Sequence, residues 1–123
     1  MDKIARILVV DDDENIRNTM KTILEDEGYI VDLAASGSEA LRKTEQTTYN
    51  IALLDIRLPD MEGVELLKLI KETIPKMRKI MVTGYPSMQN AIAALNKSAD
   101  AYLIKPVNIE NLLNVVKDQL KAQ

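Results

Sequence analysis

The chain has 123 residues, enough for one real core and too few for two. Its 46% hydrophobic and 28% charged residues are ordinary for a globular protein, which excludes disorder, and no apolar run approaches the ~20 residues of a membrane span. A net charge of −3 with scattered Lys and Arg, no Phe or Trp and only four Tyr supplies neither the basic footprint nor the stacking platform of a nucleic-acid binder.

In chain order, strand-like and helix-like segments alternate five times, the signature of βαβ units and a parallel α/β sheet. Ile7-Leu8-Val9-Val10 reads as a buried strand running into Asp11-Asp12-Asp13. A helix is predicted from Glu14 to Glu27, with Ile16, Met20, Ile23 and Leu24 on one face and Gly28 to stop it. A strand over Tyr29 to Ala34 follows, and Ser36 with Glu39 fits a capping box for a short helix that turns Ala40 and Leu41 inward. Ile51-Ala52-Leu53-Leu54 then leads into Asp55. The run Pro59-Asp60-Met61-Glu62-Gly63 is turn chemistry before a helix bearing Leu66, Leu67, Ile70 and Ile74, which Pro75 closes. Ile80-Met81-Val82 leads into Thr83, and Met88, Ala91, Ile92 and Leu95 carry the spacing of a fourth helix. Tyr102-Leu103-Ile104 leads into Lys105, and a last helix with Ile109, Leu112, Leu113, Val116 and Leu120 starts from an Asn108 cap. No linker, repeat or low-complexity stretch interrupts this order, so residues 1–123 are expected to be a single domain without an effector domain.

Four of these strands end on polar residues of one phosphate-handling set. Parallel strands bring their carboxyl ends to one edge of the sheet, where open α/β proteins bind ligands. The chain has no histidine and no cysteine. Any metal must therefore be held by oxygen, and any phosphoryl group must arrive from outside. The absence of cysteine and of a signal-peptide pattern fits a cytoplasmic protein. Asp11, Asp12 and Asp13 with Asp55 form an oxygen set suited to Mg²⁺, which takes about six oxygens from carboxylates, waters and substrate phosphate. An acidic run at a strand end also serves as a helix cap and dipole partner, but carboxylates crowded at neighbouring strand ends repel one another without a cation. Asp55 is placed either as a nucleophile that forms an acyl phosphate or as a turn-forming residue. Thr83 can donate to a phosphoryl oxygen or cap the turn at Gly84, and Lys105 can neutralise phosphoryl charge or lie exposed. The Lys105-Pro106 pair favours the former, because an X-Pro bond in cis would aim the lysine into the crevice.

With these residues assembled, the chain resembles the receiver domain of two-component response regulators over essentially its whole length. The carriers are Val9-Val10-Asp11-Asp12-Asp13, the run from Leu54-Asp55-Ile56-Arg57 through Leu58-Pro59-Asp60-Met61-Glu62-Gly63, Met81-Val82-Thr83-Gly84 and Tyr102-Leu103-Ile104-Lys105-Pro106. The resemblance implies a flavodoxin-like (βα)5 doubly wound sandwich with a five-stranded parallel sheet in the order 2-1-3-4-5. It implies that Asp55 takes a phosphoryl group from a phosphohistidine on a sensor histidine kinase or phosphotransfer protein in a phosphorelay. Mg²⁺ would be bound at Asp55, directly by Asp12, mostly through water by Asp11, and by the backbone carbonyl of Arg57. Thr83 and Lys105 would hold the phosphoryl oxygens. Switching would move Thr83 toward the phosphoryl group and Tyr102 inward, altering a face formed by the fourth helix, fifth strand and fifth helix; Tyr102 reads equally well as a half-buried strand aromatic with a wet hydroxyl.

The implied protein is no enzyme in the ordinary sense, promoting only its own phosphorylation and dephosphorylation. It would signal to a downstream effector protein or domain, with no direct nucleic-acid or membrane partner and with scope for a phosphorylation-dependent homodimer. Asp13 and Glu62 exchange one acid for another at family positions, and the last helix lacks the arginines of receivers that serve winged-helix domains. Arg57 and Tyr85 border the approach to the phosphoryl group, where they are expected to slow hydrolysis. A haloacid-dehalogenase-like phosphatase would need Thr or Val where Asn15 stands and a late acidic pair where only Asp100 precedes the last strand. A flavodoxin would place a Ser/Thr-rich phosphate loop where the acids are. A degenerate receiver used only for interactions would lack the complete acid, Thr and Lys set.

Overall fold

The computed structural model describes residues 4–84 and 99–123. Its elements run β1 (Arg6–Val10), α1 (Glu14–Asp26), β2 (Ile30–Ala34), α2 (Gly37–Gln46), β3 (Ile51–Asp55), α3 (Gly63–Thr73), β4 (Arg78–Thr83), β5 (Ala101–Ile104) and a C-terminal helix α4 (Ile109–Ala122). The five strands form one parallel sheet in the order β2-β1-β3-β4-β5. This is the doubly wound, flavodoxin-like arrangement. The helix expected around Met88, Ala91, Ile92 and Leu95 lies outside the described residues.

Period-two alternation on strands buried from both sides divides the core into two layers. Leu8, Val10, Ala52, Leu54 and Met81 face one side and pack with Ala40 of α2 and with Leu66, Leu67 and Ile70 of α3. Ile7, Val9, Ile51, Leu53, Ile80 and Val82 face the other and pack with Met20 and Leu24 of α1 and with Leu112 and Val116 of α4. Register is fixed by this alternation. A one-residue slip of β3, which pairs Leu53 with Val9 and Ile80, would exchange the side chains of the two layers.

Helix boundaries follow local chemistry. α1 stops one residue before the predicted end, at Asp26, and Gly28 adopts φ 95°, a conformation that side chains with a Cβ rarely take. Half of the predicted capping box forms: the Ser36 hydroxyl accepts the Glu39 N–H at 3.2 Å, while the Glu39 carboxylate turns to Lys43 at 3.7 Å. α4 begins as predicted, with the Asn108 side chain accepting the Asn111 N–H.

Candidate functional site

β1 and β3 are central neighbours in the sheet, so the acids that follow their apolar runs emerge side by side. Asp11 extends the β1–β2 ladder by donating its N–H to the Ala34 carbonyl and is only 2% exposed. Asp55 closes β3 and is 6% exposed. Lys105 follows β5, is held by its N–H to the Thr83 carbonyl at 2.7 Å, and precedes a cis bond to Pro106. Its ammonium donates to Asp11 Oδ2 at 2.8 Å and lies 3.5 Å from Asp55 Oδ2. Asp12 is exposed. Carboxylate oxygens from Asp11, Asp12 and Asp55 lie within 4.8 Å of one another. They line a crevice of about 460 Å³ with Arg57, Gly84 and Lys105.

Burial and the neighbouring Asp11 charge push the Asp55 carboxyl above its ordinary value, against the opposing pull of Lys105. Burial works against the charged form of Lys105, but the hydrogen bond and charge of Asp11, with the charge of Asp55, raise its pKa overall. The residues lining the described crevice thus include four acids, Asp11, Asp12, Asp13 and Asp55, against two cations, Arg57 and Lys105. That donor set fits a hard divalent ion: oxygen ligands only, gathered at bonding range, with residual negative charge.

The loop after Asp55 is tightly closed. Gly63 donates to the Ile56 carbonyl at 2.7 Å, and a Cβ on Gly63 would sit 2.2 Å from the Asp55 carbonyl oxygen, so only glycine fits. Arg57 and Glu62 form an antiparallel bridge, and Leu58 donates to the Met61 carbonyl.

Comparison with known proteins identifies the family. A family model described as the response regulator receiver domain matches residues 7–117. The chain belongs to the response regulator receiver domain family. It is 39% identical over 106 residues to the transcriptional regulatory protein ZraR of Escherichia coli, covering 86% of this chain and 24% of ZraR. Response regulator ArlR of Staphylococcus saprophyticus is 34% identical over 122 residues, 98% of this chain and 54% of ArlR. The chain therefore spans between a quarter and about half of these relatives. Among solved structures, a CheY-like receiver domain protein from Methanospirillum hungatei superposes with TM-score 0.91 at 51% identity, covering 98% of this chain and 96% of that one. The Thermotoga maritima regulator TrrA, solved in complex with Mg²⁺-BeF, gives TM-score 0.86 at 35% identity, covering 94% of this chain and 99% of TrrA.

In this receiver domain the predicted residues divide by position. Asp11, Asp12, Asp55, Arg57 and Lys105 share the crevice. Thr83 ends β4 at 1% exposure, buried beside Gly84 rather than forming the crevice wall. Tyr102 lies on edge strand β5 at 42% exposure, on the outward side of the described structure. Tyr85 is outside the described residues. Asp13 also lines the crevice, but its Oδ1 is committed elsewhere: it accepts the N–H groups of Asn15 and Ile16 at 2.9 and 3.2 Å and caps α1. The capping role weighed for the whole acidic run thus belongs to Asp13. Arg17, which sequence reading passed over, donates to the Asp11 carbonyl at 2.7 Å and ties the first turn of α1 to the site; its spacing of six residues from Asp11 gave no signal of this.

Proposed function

We propose that residues 1–123 are a single receiver domain that accepts a phosphoryl group on Asp55 from a phosphohistidine of a histidine kinase or phosphotransfer protein. The observation that carries this reading is a buried carboxylate, Asp55, held with a second acid against one lysine at the carboxyl edge of the sheet. Asp55 is favoured over Asp11 as nucleophile. Both Asp11 oxygens accept bonds, one from the Asp13 N–H and one from Lys105, whereas the contact from the Arg57 N–H to Asp55 Oδ1 is a long 3.4 Å. A carboxylate raised above its ordinary basicity is also the better attacking group.

In the transfer, an Asp55 oxygen forms a bond to phosphorus as the donor's N–P bond breaks, and the electron pair and a proton remain with the donor imidazole. Lys105 neutralises a phosphoryl oxygen without leaving the crevice, and Thr83 offers its hydroxyl to another once it moves toward the phosphoryl group. Asp11, Asp12, Asp55 and the Arg57 carbonyl would hold Mg²⁺, which supplies further neutralisation of the phosphoryl charge. TrrA, a relative solved with Mg²⁺-BeF, supports that choice of ion. A groove of about 500 Å³, lined by Ile16, Met20, Ile23 and Val107, shares Gly84 and Lys105 with the crevice and offers apolar surface beside it for the donor protein. The domain catalyses only its own gain and loss of phosphate, in the cytoplasm, and reports to an effector. Rearrangement of Thr83 and Tyr102 is the proposed switch. No helix among the described residues is long and apolar enough to cross a membrane.

Incubation with acetyl phosphate and Mg²⁺ followed by intact mass tests this reading. The expected result is a gain of one phosphoryl group, abolished in Asp55→Asn and by chelation of the metal. Undiminished labelling of the Asn variant overturns the site assignment.

A further inference from the structure

We propose that Asp60 is a positioning residue for the metal-binding loop: it clamps the tip of the β3–α3 loop to the start of α2 and so fixes the Arg57 carbonyl. This inference rests on the proposed Mg²⁺-dependent function.

The loop is pinned at both ends. At its base, Gly63 packs against the backbone of Asp55 and Ile56 with no room for a Cβ. At its tip, Asp60 Oδ1 accepts the Gly37 N–H at 2.8 Å and Oδ2 accepts the Ser38 N–H at 2.9 Å. The Met61 side chain lies over Gly37, where a Cβ would come within 2.4 Å of its sulfur. Between base and tip run the Arg57–Glu62 bridge and the Leu58 N–H to Met61 carbonyl bond. Arg57 therefore sits in a short closed segment whose two anchors are the Asp55 backbone and α2.

Capping of α2 alone does not account for this arrangement. Ser36 already caps α2 by accepting the Glu39 N–H, a bond supplied from within its own segment. The carboxylate that takes the two remaining N–H groups comes instead from the loop that carries a proposed metal ligand, 22 and 23 residues away along the chain. The bonds from Ser38 and Gly37 hold the Asp60 carboxyl below its ordinary range, so the tie stays charged at neutral pH. A carbonyl held in place before the ion arrives loses less freedom on binding, and residues behind metal ligands tune affinity in this way. Linkage makes the effect reciprocal: if the clamp strengthens Mg²⁺ binding, Mg²⁺ must strengthen the clamp.

The test is calorimetric titration of the unphosphorylated full chain with Mg²⁺, paired with amide NMR of Gly37 and Ser38 during the same titration. Parent, Asp60→Ala, Asp60→Asn and Ser36→Ala are compared, Ser36→Ala being the control that removes the helix's own cap and leaves Asp60 and both its N–H donors in place. Asp60→Ala is expected to bind Mg²⁺ at least about fivefold more weakly, the low end of coupling between linked sites. Asp60→Asn, which keeps one acceptor oxygen, is expected to fall between Asp60→Ala and parent, and Ser36→Ala to match parent. In the parent the Gly37 and Ser38 amides are expected to shift as the metal binds and to exchange more slowly with solvent. Equal affinities in parent and Asp60→Ala, or equal weakening by Ser36→Ala, would overturn the clamp while leaving phosphorylation of Asp55 intact. A parent that binds no Mg²⁺ would overturn both readings.

Discussion

At the amino edge of the sheet, Lys79 is 3% exposed, donates its ammonium to the Met77 carbonyl and lies 3.8 Å from Asp100. Asp100 also accepts the Lys79 N–H at 2.8 Å and pairs with Arg78 at 3.2 Å, and Arg78 reaches the Ala122 carbonyl at the end of α4. At the carboxyl edge of the same strands, two buried carboxylates, Asp11 and Asp55, share Lys105, with the exposed Asp12 beside them. The cavity at the amino edge is the larger, about 560 against 460 Å³, so size does not mark the working end. The sign of the charge does. One edge gathers two cations around one carboxylate, and the other keeps negative charge in excess for a cation and a phosphoryl group.

Breaking the amino edge should cost most. Asp100→Ala removes the carboxylate that meets the buried Lys79 ammonium, the Arg78 guanidinium and the Lys79 N–H. Loss of about 2 kcal/mol in urea unfolding is expected, discounted from the cost of breaking a fully buried pair because Asp100 is partly exposed. Phosphorylation at saturating Mg²⁺ should persist. A stability change within error, or lost labelling in a folded variant, would contradict the division of labour between the edges.

Removing the cation from the other edge should cost less and be partly reversible. Lys105→Met leaves Asp11 and Asp55 facing each other, and a loss of about 1 kcal/mol without metal is expected because the lysine is 20% exposed and water screens the site. Millimolar Mg²⁺ should then stabilise the variant more than it stabilises the parent. The opposite ranking would show that lysine and metal do not compensate for the same charge.

Legibility in the sequence followed the range of the interaction. Ile7–Val10, Ile51–Leu54 and Ile80–Val82 announced themselves as buried strands by composition, and parallel order then gathered Asp11, Asp12, Asp55 and Lys105 without further information. Taken as residues alone the three adjacent acids formed one oxygen set, and only the turn from β1 into α1 decides that an Asp13 oxygen caps backbone N–H groups while the Asp11 and Asp12 oxygens gather with that of Asp55. Asp60 read as turn chemistry, since its acceptor role is defined by a helix start that no local pattern links to it. Lys79 sat unnoticed in an apolar strand run; its partner Asp100 comes 21 residues later. Local periodicity specifies elements, whereas loop-to-loop contacts appear only once the sheet order is known.

The smallest expected effect has the opposite sign. Asp55 is disfavoured as a carboxylate first by burial and then by Asp11, and these outweigh the attraction of Lys105. An acid whose pKa is raised by folding takes up protons on folding. Its stabilising contribution is complete below its unfolded value of 3.8 and is lost as pH rises through its higher folded value. Asp55→Asn removes that loss while Lys105 keeps its 2.8 Å bond to Asp11. Without metal at neutral pH the variant should therefore be more stable than the parent, by on the order of 1 kcal/mol. The gain should shrink as pH falls and vanish below 3.8, where the parent carboxyl is neutral in both states. Urea midpoints measured for both proteins across that range decide the matter. A variant less stable than the parent at neutral pH would mean that Lys105 outweighs burial and Asp11.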